Sequence, residues 1–342
     1  MTTTSRDPKQ SMNTKKQRPE GSGPNCNVIV FLEEAQKDLE PVKHADRVAA
    51  ALGGHVTLCH VMVPPHDGSK PVDPVDWDIR KQKTRNWLSG VARAHSSKER
   101  TTEALLLEGQ YIKQIASHMA VRQGDIAAAL RVRGEEGKRL SDTVLGVLAS
   151  RSAALLMIPV TAREPKNGTY QKILVPLDGS SRAESALPTA AKLALAEGAE
   201  LLLCHVAPQP GVTEFGVMDQ EAARLSSQVT KRNTQLGQTH LTKVKNSLAH
   251  HKLNISTLIV PGGDARRALI DTIEKEAVDF VVMATHGQSG HRDVPAGDVA
   301  SFILDRADIP VLMVRSKMNQ SRDHAFGRVV SKGIRQPAGT DK

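Results

Sequence analysis

The sequence predicts an α/β protein made of two tandem, doubly wound sheets, each with five parallel strands. Three observations support this fold class: short runs of Val, Leu and Ile, helical segments between them, and an internal repeat at a constant offset. Runs that are apolar along their whole length are buried on both faces, which is typical of parallel strands covered by helices. With 342 residues, the chain is long enough for about two such domains.

The internal repeat relates the first part of the chain to the middle. Val28 corresponds to Ile173, and the run Cys-His-Val at 59–61 recurs at 204–206, so that both pairs lie 145 positions apart. One offset that holds across two strands and the helix between them indicates a tandem duplication.

Each repeat should contain five strands joined by four helices. In the first repeat we predict strands at 28–32, 55–65, 105–107, 125–130 and 154–158. The corresponding strands of the second repeat are predicted at 173–177, 200–208, 258–260, 279–284 and 309–314. The first helix of each repeat is predicted at 37–52 and 182–196, and the longest helix at 218–249.

These elements divide the chain into five segments. We expect a disordered basic arm at 1–26 and a disordered basic tail at 317–342, because both are polar and poor in apolar residues. Between them we predict a degenerate domain at 27–160, a linker at 161–171, and a domain with a glycine-rich loop at 172–316. The two domains are called repeat one and repeat two below.

The net charge of +9 is concentrated at the two ends of the chain. Residues 1–25 hold five Lys and Arg against two acids, and residues 316–342 hold six against two, which leaves about +2 between them. Basic ends can attract nucleic acid or an anionic membrane, and this alternative ranks below solvated, disordered ends. An aromatic content of 3% leaves few side chains for stacking on bases. We therefore do not predict a nucleic-acid partner.

Cysteine usage and hydropathy indicate a cytoplasmic protein that does not enter a membrane. The three cysteines are an odd and sparse set, and Cys59 and Cys204 lie in apolar runs, where a thiol packs as a small hydrophobic group. No apolar run approaches the roughly 18 residues that a membrane span needs. The first 25 residues are polar, unlike a signal peptide.

The stretch at 279–314 carries the strongest functional signal. It contains a strand, a loop with Gly287, Gly290 and Gly297, a helix at 299–307 and a second strand. In an open parallel sheet, such a loop lies at the carboxyl end of its strand, where ligands bind. Glycines let backbone N–H groups approach an anion, and the start of the helix adds a partial positive charge.

The spacing of this loop resembles that of the nucleotide-binding universal stress proteins, in which Gly, two residues, Gly, nine residues and Gly precede Ser or Thr. The corresponding positions are Ala284, Gly287, Gly297 and Asp298, so two match and two depart. The resemblance covers about residues 27–316 and implies a Rossmann-like, ATP-binding fold with strand order 3-2-1-4-5. Family dimers pair through the last strand, so the two repeats should pair within the chain as a pseudo-dimer. A homodimer of two chains stays open.

The resemblance also implies which residues of repeat two meet the nucleotide. In chain order these are Pro176, Asp178, Val206, Met283, Ala284, Gly287, Gly297, Asp298 and Val299. The first three would contact the adenosine, the next two would line the base and ribose, and the last four would face the phosphates. Neither a catalytic residue nor a metal site of the protein's own is predicted.

The two departures from the family loop bear on affinity. At a strand end such as Ala284, a methyl group is tolerated unless φ must be positive or the ligand touches the backbone. Asp298 replaces a hydroxyl with a carboxylate, whose repulsion of phosphate at about 4 Å costs about 1 kcal/mol in water and about 4 kcal/mol at an effective dielectric of 20. His291 and Arg292 in the loop, or a Mg²⁺ ion between Asp298 and the phosphates, would offset this repulsion.

Several candidate residues also have a structural interpretation. Asp178 precedes a Gly-Ser turn sequence, and Asp298 at a helix start stabilises the helix dipole without any ligand. Asp264 is predicted to be a helix N-cap. His60 and His205 occupy corresponding strands, and the cysteine before each one lies in an apolar run where it packs as a small hydrophobic group, so we predict structural roles for both histidines.

Repeat one has not kept the family loop. Residues 131–140 contain Gly134 and Gly137 without the family spacing, and Glu135 and Glu136 in the same loop repel phosphate. We therefore predict that repeat one is a structural partner of repeat two.

The leading prediction is a cytoplasmic, ATP-binding universal stress protein that regulates a protein partner and is not primarily an enzyme. The sequence contains no P-loop, nucleophile elbow, C-x-x-C or H-E-x-x-H motif. The alternative is a nucleotide-free scaffold of the same family, in which Asp298 marks a lost phosphate site. A third hypothesis is an adenylyl-transferring or hydrolytic enzyme on the same fold, and slow ATP hydrolysis stays open.

Overall fold

The computed structural model describes both repeats and part of the linker. The described residues are 26–33, 39–64, 73–97, 100–121, 125–131, 142–150, 154–162, 165, 167–208, 220–249, 252–261, 263–286 and 296–315. The predicted basic arm, except Cys26, and the predicted basic tail lie outside them. So do the glycine loop from 287 to 295 and its counterpart from 132 to 141.

Ten strands are present in the described residues, in the order that the sequence predicts. In repeat one they are β1 (Asn27–Phe31), β2 (His55–Met62), β3 (Glu103–Glu108), β4 (Ile126–Arg131) and β5 (Ala154–Pro159). In repeat two they are β6 (Lys172–Pro176), β7 (Glu200–Ala207), β8 (Asn254–Pro261), β9 (Phe280–Ala284) and β10 (Val311–Val314).

The helices of the described residues lie between these strands. In repeat one they are α1 (Glu40–Ala51), α2 (Pro74–His95), α3 (Tyr111–Ala120) and α4 (Asp142–Ser150). In repeat two they are α5 (Ser181–Glu184), α6 (Leu187–Glu197), α7 (Gln220–Leu248), α8 (Ala265–Lys275) and α9 (Asp298–Arg306). Within these ranges, no helix combines the length and the apolar character that a bilayer span requires.

The prediction of a single helix at 182–196 is wrong, because the chain forms two helices there, α5 and α6. Pro188 lies in the first turn of α6. A proline inside a continuous helix would remove one N–H donor and clash with the carbonyl of the residue four positions earlier. The residue that caps α5 is Ser180, whose hydroxyl accepts the N–H of Ala183 at 3.1 Å.

All ten strands belong to one sheet, in the order β3-β2-β1-β4-β5-β10-β9-β6-β7-β8. Each repeat therefore has the predicted 3-2-1-4-5 order, and the strands within a repeat are parallel. The repeats join where β5 and β10 pair antiparallel, with Leu155 opposite Met313. The two expected sheets are thus one continuous sheet, and the predicted pairing of the repeats within the chain is confirmed.

The central strands of the sheet are buried on both faces, as the apolar runs predict, whereas the edge strands β3 and β8 are only partly buried. Successive residues of β1 point to opposite faces: Val28 and Val30 belong to one apolar cluster, whereas Ile29 and Phe31 belong to the other. All four side chains are almost completely buried. Helices cover both faces of these strands, so their apolar side chains are shielded from water on either side.

Tyr170, at the end of the linker, is buried where the two repeats meet. Its hydroxyl lies 2.6 Å from Nδ1 of His44 on α1, and its ring centroid is 4.6 Å from that of Phe280 on β9. Glu197 on α6 accepts the N–H of Tyr170 at 2.9 Å and pairs with Arg47 on α1 at 3.3 Å. The end of the linker is therefore part of the core between the repeats.

Candidate functional site

A cavity opens in repeat two at the carboxyl ends of β6, β7 and β9, against the start of α9. Its volume of about 170 Å³ is far above the roughly 10–15 Å³ that one water molecule needs, so it is more than a packing defect. It lies where β6 has β7 on one side and β9 on the other. This switch in strand order is where open α/β sheets bind their ligands.

Eight of the nine contact residues implied by the family resemblance line this cavity. They come from three strand ends and one helix start: Pro176, Asp178, Val206, Met283, Ala284, Gly297, Asp298 and Val299. The ninth, Gly287, lies outside the described residues, as do His291 and Arg292. The fold thus brings together residues that are far apart in the sequence, because neighbouring parallel strands end at one edge of the sheet.

Asp178 follows β6 and forms the turn that the sequence predicts. Its Oδ1 atom accepts hydrogen bonds from the N–H of Ser180 at 2.9 Å and from the hydroxyl of Ser180 at 2.6 Å. These bonds hold the carboxylate at the wall of the cavity, where the side chain is exposed. The turn and a contact with a ligand are therefore compatible roles.

Gly297 is the N-cap of α9 and offers no side-chain cap. Its φ of −67° is accessible to any residue, and a Cβ atom built there would lie 3.5 Å from the carbonyl oxygen of Thr285, which is an ordinary contact. Neither the backbone nor the protein's own packing therefore requires glycine at this position. The absent side chain leaves the cavity wall open at the start of the helix.

The backbone N–H groups at this helix start divide into two kinds. The N–H of Gly297 donates to the carbonyl of Thr285 at 2.8 Å, so this group is already used within the protein. The next three N–H groups, at 298–300, belong to the first turn of α9, where no carbonyl of the same helix can accept them. An anion in the cavity would meet those three groups and the positive end of the helix dipole.

Ala284 occupies the position of the first family glycine. It is the last residue of β9, in register with Val314 of β10, and it is absent from the described residues that have positive φ. A methyl group is therefore compatible with this backbone. Ala284 is buried and contributes an apolar surface to the cavity wall.

Asp298 has a charged partner that sequence reasoning missed. Arg266, in the first turn of α8, places Nη1 at 3.1 Å from Oδ2 of Asp298. Asp264 holds the same guanidinium through two contacts of 2.9 Å, from Nε to Oδ1 and from Nη2 to Oδ2. Asp264 also accepts the backbone N–H of Arg266 at 3.0 Å, which confirms its predicted role as the N-cap of α8.

These contacts change the electrostatics at the mouth of the cavity. The hydrogen bond and the charge of Asp264 raise the pKa of Arg266, and Arg266 in turn lowers the pKa of Asp264. Arg266 therefore stays charged and offsets one of the two carboxylates that it touches. A guanidinium beside Asp298 also attracts a phosphate group, which weakens the repulsion that Asp298 alone would cause.

His60 and His205, which correspond in the two repeats, have the structural roles that the sequence predicts. Nδ1 of His60 donates to the carbonyl of Leu32 at 2.8 Å, and Nδ1 of His205 donates to the carbonyl of Leu177 at 2.7 Å. Each histidine thus joins the second strand of its repeat to the residue that follows the first strand. In repeat two this bond supports the carboxyl edge on which the cavity is built.

The described residues contain no group of three His, Cys, Asp or Glu side chains that could hold a metal ion. Among the described residues, the carboxylates that line the cavity are those of Asp178 and Asp298. Asp298 is the carboxylate that would share a Mg²⁺ ion, since Mg²⁺ is commonly held by one or two carboxylates together with substrate phosphates.

Cys204 lies on the inner wall of the cavity and is buried, as predicted for a small hydrophobic thiol. Burial raises the pKa of the Cys204 thiol to about 12. In the unfolded chain a thiol ionises near its ordinary pKa of about 8.5. Between about pH 9 and 12 the unfolded state therefore binds fewer protons than the folded state.

The free energy of unfolding should consequently fall as the pH rises above about 9, with a contribution from Cys204 of about 1.4 kcal/mol per pH unit. Urea denaturation at several pH values between 8 and 11 measures this slope. The Cys204→Ala variant lacks the thiol, so we expect it to show a shallower slope than the wild type. Equal slopes would contradict the assignment to Cys204.

A doubly wound parallel sheet with a cavity at its carboxyl edge places the protein in the Rossmann-like class of α/β proteins. Comparison with known proteins identifies a family within this class. Residues 169–315, which hold repeat two, match the model of the universal stress protein family. One universal stress protein of Methanocaldococcus jannaschii is 31% identical over 147 residues, which are 43% of this chain and 82% of the relative. The chain therefore belongs to the universal stress protein family.

Other relatives and solved structures extend this comparison. Universal stress protein YxiE of Bacillus subtilis is 28% identical over 152 residues, which cover 43% of this chain and 99% of the relative. The crystal structure of a universal stress protein from Archaeoglobus fulgidus has a TM-score of 0.59 at 15% identity, and the match covers 84% of this chain and 96% of that one. The likeness of fold thus extends through both repeats.

Proposed function

We propose that repeat two binds an adenine nucleotide, ATP, and that its occupancy regulates contacts between this cytoplasmic stress protein and a protein partner. The observation that supports this proposal is the convergence of eight implied contact residues on one cavity at the switch in strand order. The role is binding and regulation rather than catalysis.

The chemistry of the cavity suits the two halves of such a ligand. Apolar surface from Val206 and Met283 lies at the strand ends, where a flat base would pack. The carboxylate of Asp178, at the same edge, can accept a hydrogen bond from a hydroxyl of the ribose. The first turn of α9 and the guanidinium of Arg266 provide the positive potential for phosphates.

Substitution of the acidic residue at the helix start tests the phosphate end of the site. We expect Asp298→Ser to bind ATP about tenfold more tightly than the wild type, because about 1.4 kcal/mol of charge repulsion is removed and Arg266 is released to the phosphates. Isothermal titration calorimetry of ATP, with and without Mg²⁺, measures the change in Kd. The matched control is Asp305→Ser, the same substitution near the opposite end of α9.

The outcomes of this titration separate the proposal from its alternatives. ATP binding by the wild type, with a gain in Asp298→Ser and no change in Asp305→Ser, supports a nucleotide site. No binding by the wild type and a large gain in Asp298→Ser would favour the nucleotide-free scaffold. A loss of affinity in Asp298→Ser that occurs only with Mg²⁺ would assign the carboxylate to the metal ion instead.

A mass spectrum of the purified protein tests the same proposal without any variant, because a bound adenine nucleotide would be released on denaturation. The enzyme hypothesis makes a different prediction, since it requires turnover that depends on a side chain of the site. If Asp178→Asn leaves any measured turnover of ATP unchanged, that hypothesis is wrong.

A further inference from the structure

The two ends of α9 face different parts of the molecule. Its first turn, with Asp298 and Val299, lines the cavity of repeat two. Its last turn lies at the junction of the repeats, where β10 meets β5. One side chain of repeat one, Arg131 at the end of β4, reaches this last turn.

The guanidinium of Arg131 binds the carbonyl groups at the end of α9. Nη1 donates to the carbonyls of Leu304, at 3.1 Å, and Asp305. Nη2 donates to the carbonyl of Ala307, the C-cap of α9, at 2.6 Å, and lies 3.4 Å from Oδ1 of Asp308. A single side chain therefore satisfies several of the carbonyl groups that a helix leaves without intrahelical partners.

This contact is buried, so its geometry matters more than that of a surface ion pair. The Arg131 side chain is 3% exposed. A guanidinium that has lost its water needs oxygen acceptors in its place, and the carbonyls at a helix C-terminus carry negative partial charge. The planar fork of arginine binds several such acceptors in one fixed arrangement, which an ammonium group cannot do. Arg131 thus holds the end of α9 at a defined position relative to repeat one.

The register of the sheet identifies the counterpart of Arg131 in repeat two. Ile126 pairs with the first strand of repeat one as Phe280 pairs with the first strand of repeat two. Counting five residues onward from each, Arg131 corresponds to Thr285. Thr285 lines the cavity of its own repeat, whereas Arg131 reaches into the other repeat. At corresponding positions, Arg131 of repeat one therefore contacts the other repeat, whereas Thr285 of repeat two lines the cavity.

We propose that Arg131 is a positioning residue for the nucleotide site: it lets repeat one fix the placement of α9, and through α9 the N–H groups offered to the phosphates. This inference rests on the proposed function of repeat two. The helix has nine residues, which is about 13 Å at 1.5 Å per residue. Its first turn has no side-chain cap and is held by the Gly297–Thr285 hydrogen bond and by Arg266 on Asp298, so Arg131 supplies the second, distant anchor that fixes the direction of the helix.

The chain offers a matched control in the reverse direction. Arg315, which follows β10 in repeat two, donates from Nη2 to the carbonyl of Leu148 on α4 at 3.2 Å. Leu148 and Leu304 are both the seventh residue of their helices, α4 and α9. Arg315 therefore makes a similar cross-repeat contact, but to a helix that does not line the cavity.

The experiment compares full-length wild type, Arg131→Met and Arg315→Met in two measurements. In calorimetric titrations with ATP, we expect Arg131→Met to lose about tenfold in affinity, or about 1.4 kcal/mol, and Arg315→Met to bind as the wild type does. In hydrogen exchange without nucleotide, we expect faster exchange of the α9 amides in Arg131→Met only. Denaturation curves show how far each substitution affects overall stability.

The two measurements keep this inference separate from the proposed function. If the wild type does not bind ATP, the proposed function fails, and the exchange of α9 still decides the role of Arg131. Unchanged exchange of α9 in Arg131→Met, or equal loss of affinity in both methionine variants, would overturn the inference. If Arg131→Met does not fold, Arg131→Lys takes its place, because it keeps the charge and lacks the fork. Exchange of α9 at the wild-type rate in the lysine variant would equally overturn it.

Discussion

Gly297→Val should reduce ATP affinity by about a hundredfold, which corresponds to about 2.7 kcal/mol, while the protein stays folded. The protein itself tolerates a Cβ atom at this position, because φ is ordinary and the nearest heavy atom would be 3.5 Å away. The valine side chain would instead occupy the space at the start of α9 that a phosphate group needs. Calorimetric titration with ATP measures the loss, and circular dichroism checks the fold.

A Gly→Val substitution at a position with no close neighbours, Gly90, provides the control. Gly90 lies on α2 in repeat one, and a Cβ atom there would have no heavy atom within 4 Å. We expect Gly90→Val to bind ATP like the wild type. The stability of Gly297→Val should fall by no more than about 1 kcal/mol, the usual cost of an apolar residue at an N-cap. Wild-type affinity in Gly297→Val would remove Gly297 from the site.

Gly54→Ala should have the largest effect on stability, with a loss of about 3 kcal/mol in the free energy of unfolding. A Cβ atom at Gly54 would lie 1.6 Å from the carbonyl oxygen of Cys26, which is a backbone atom that cannot rotate away. Relief of this clash requires a shift of β2 against β1, whose register begins with Asn27 opposite His55. Urea denaturation followed by circular dichroism measures the loss.

Gly53→Ala is the neighbouring control for this clash. Gly53 has a φ of +69°, but a Cβ atom there would meet no heavy atom within 4 Å. Its substitution should cost about 1 kcal/mol from backbone strain alone. In repeat two the position that corresponds to Gly54 is occupied by Ala199, so the requirement for glycine belongs to repeat one. A smaller loss in Gly54→Ala than in Gly53→Ala would contradict the predicted contact.

The strands could be predicted from the sequence because burial on both faces leaves a continuous apolar run. The run at 28–32 became β1 (Asn27–Phe31), and the run at 200–208 became β7 (Glu200–Ala207). The internal offset then gave the duplication, and the family resemblance gave the strand order. Asp178 follows β6, and Gly297 lies in the connection from β9 to β10. Because the sheet order is β10-β9-β6, both residues reach the same cavity.

The charged contacts could not be predicted, because no local pattern marks them. Arg266 and Asp298 lie on different helices, 32 positions apart, and their side chains are 40% and 83% exposed, respectively. The sequence around Asp298 therefore predicts only repulsion of phosphate. Its contact with Arg266 depends on α8 and α9 lying side by side in the fold. Arg131 ends a strand and would be expected in solvent. Its burial results from the junction of the two repeats, which the sequence near residue 131 does not encode.

The antiparallel pairing of β5 with β10 has a consequence for how this protein behaves on dilution. Two separate subunits joined along such an edge would come apart as their concentration falls, whereas halves linked in one polypeptide meet at a fixed effective concentration. Covalent linkage also frees the halves from being identical. Corresponding positions can then take different side chains, as Arg131 of repeat one and Thr285 of repeat two do, so that each half evolves under its own constraints where the subunits of a symmetric dimer change together.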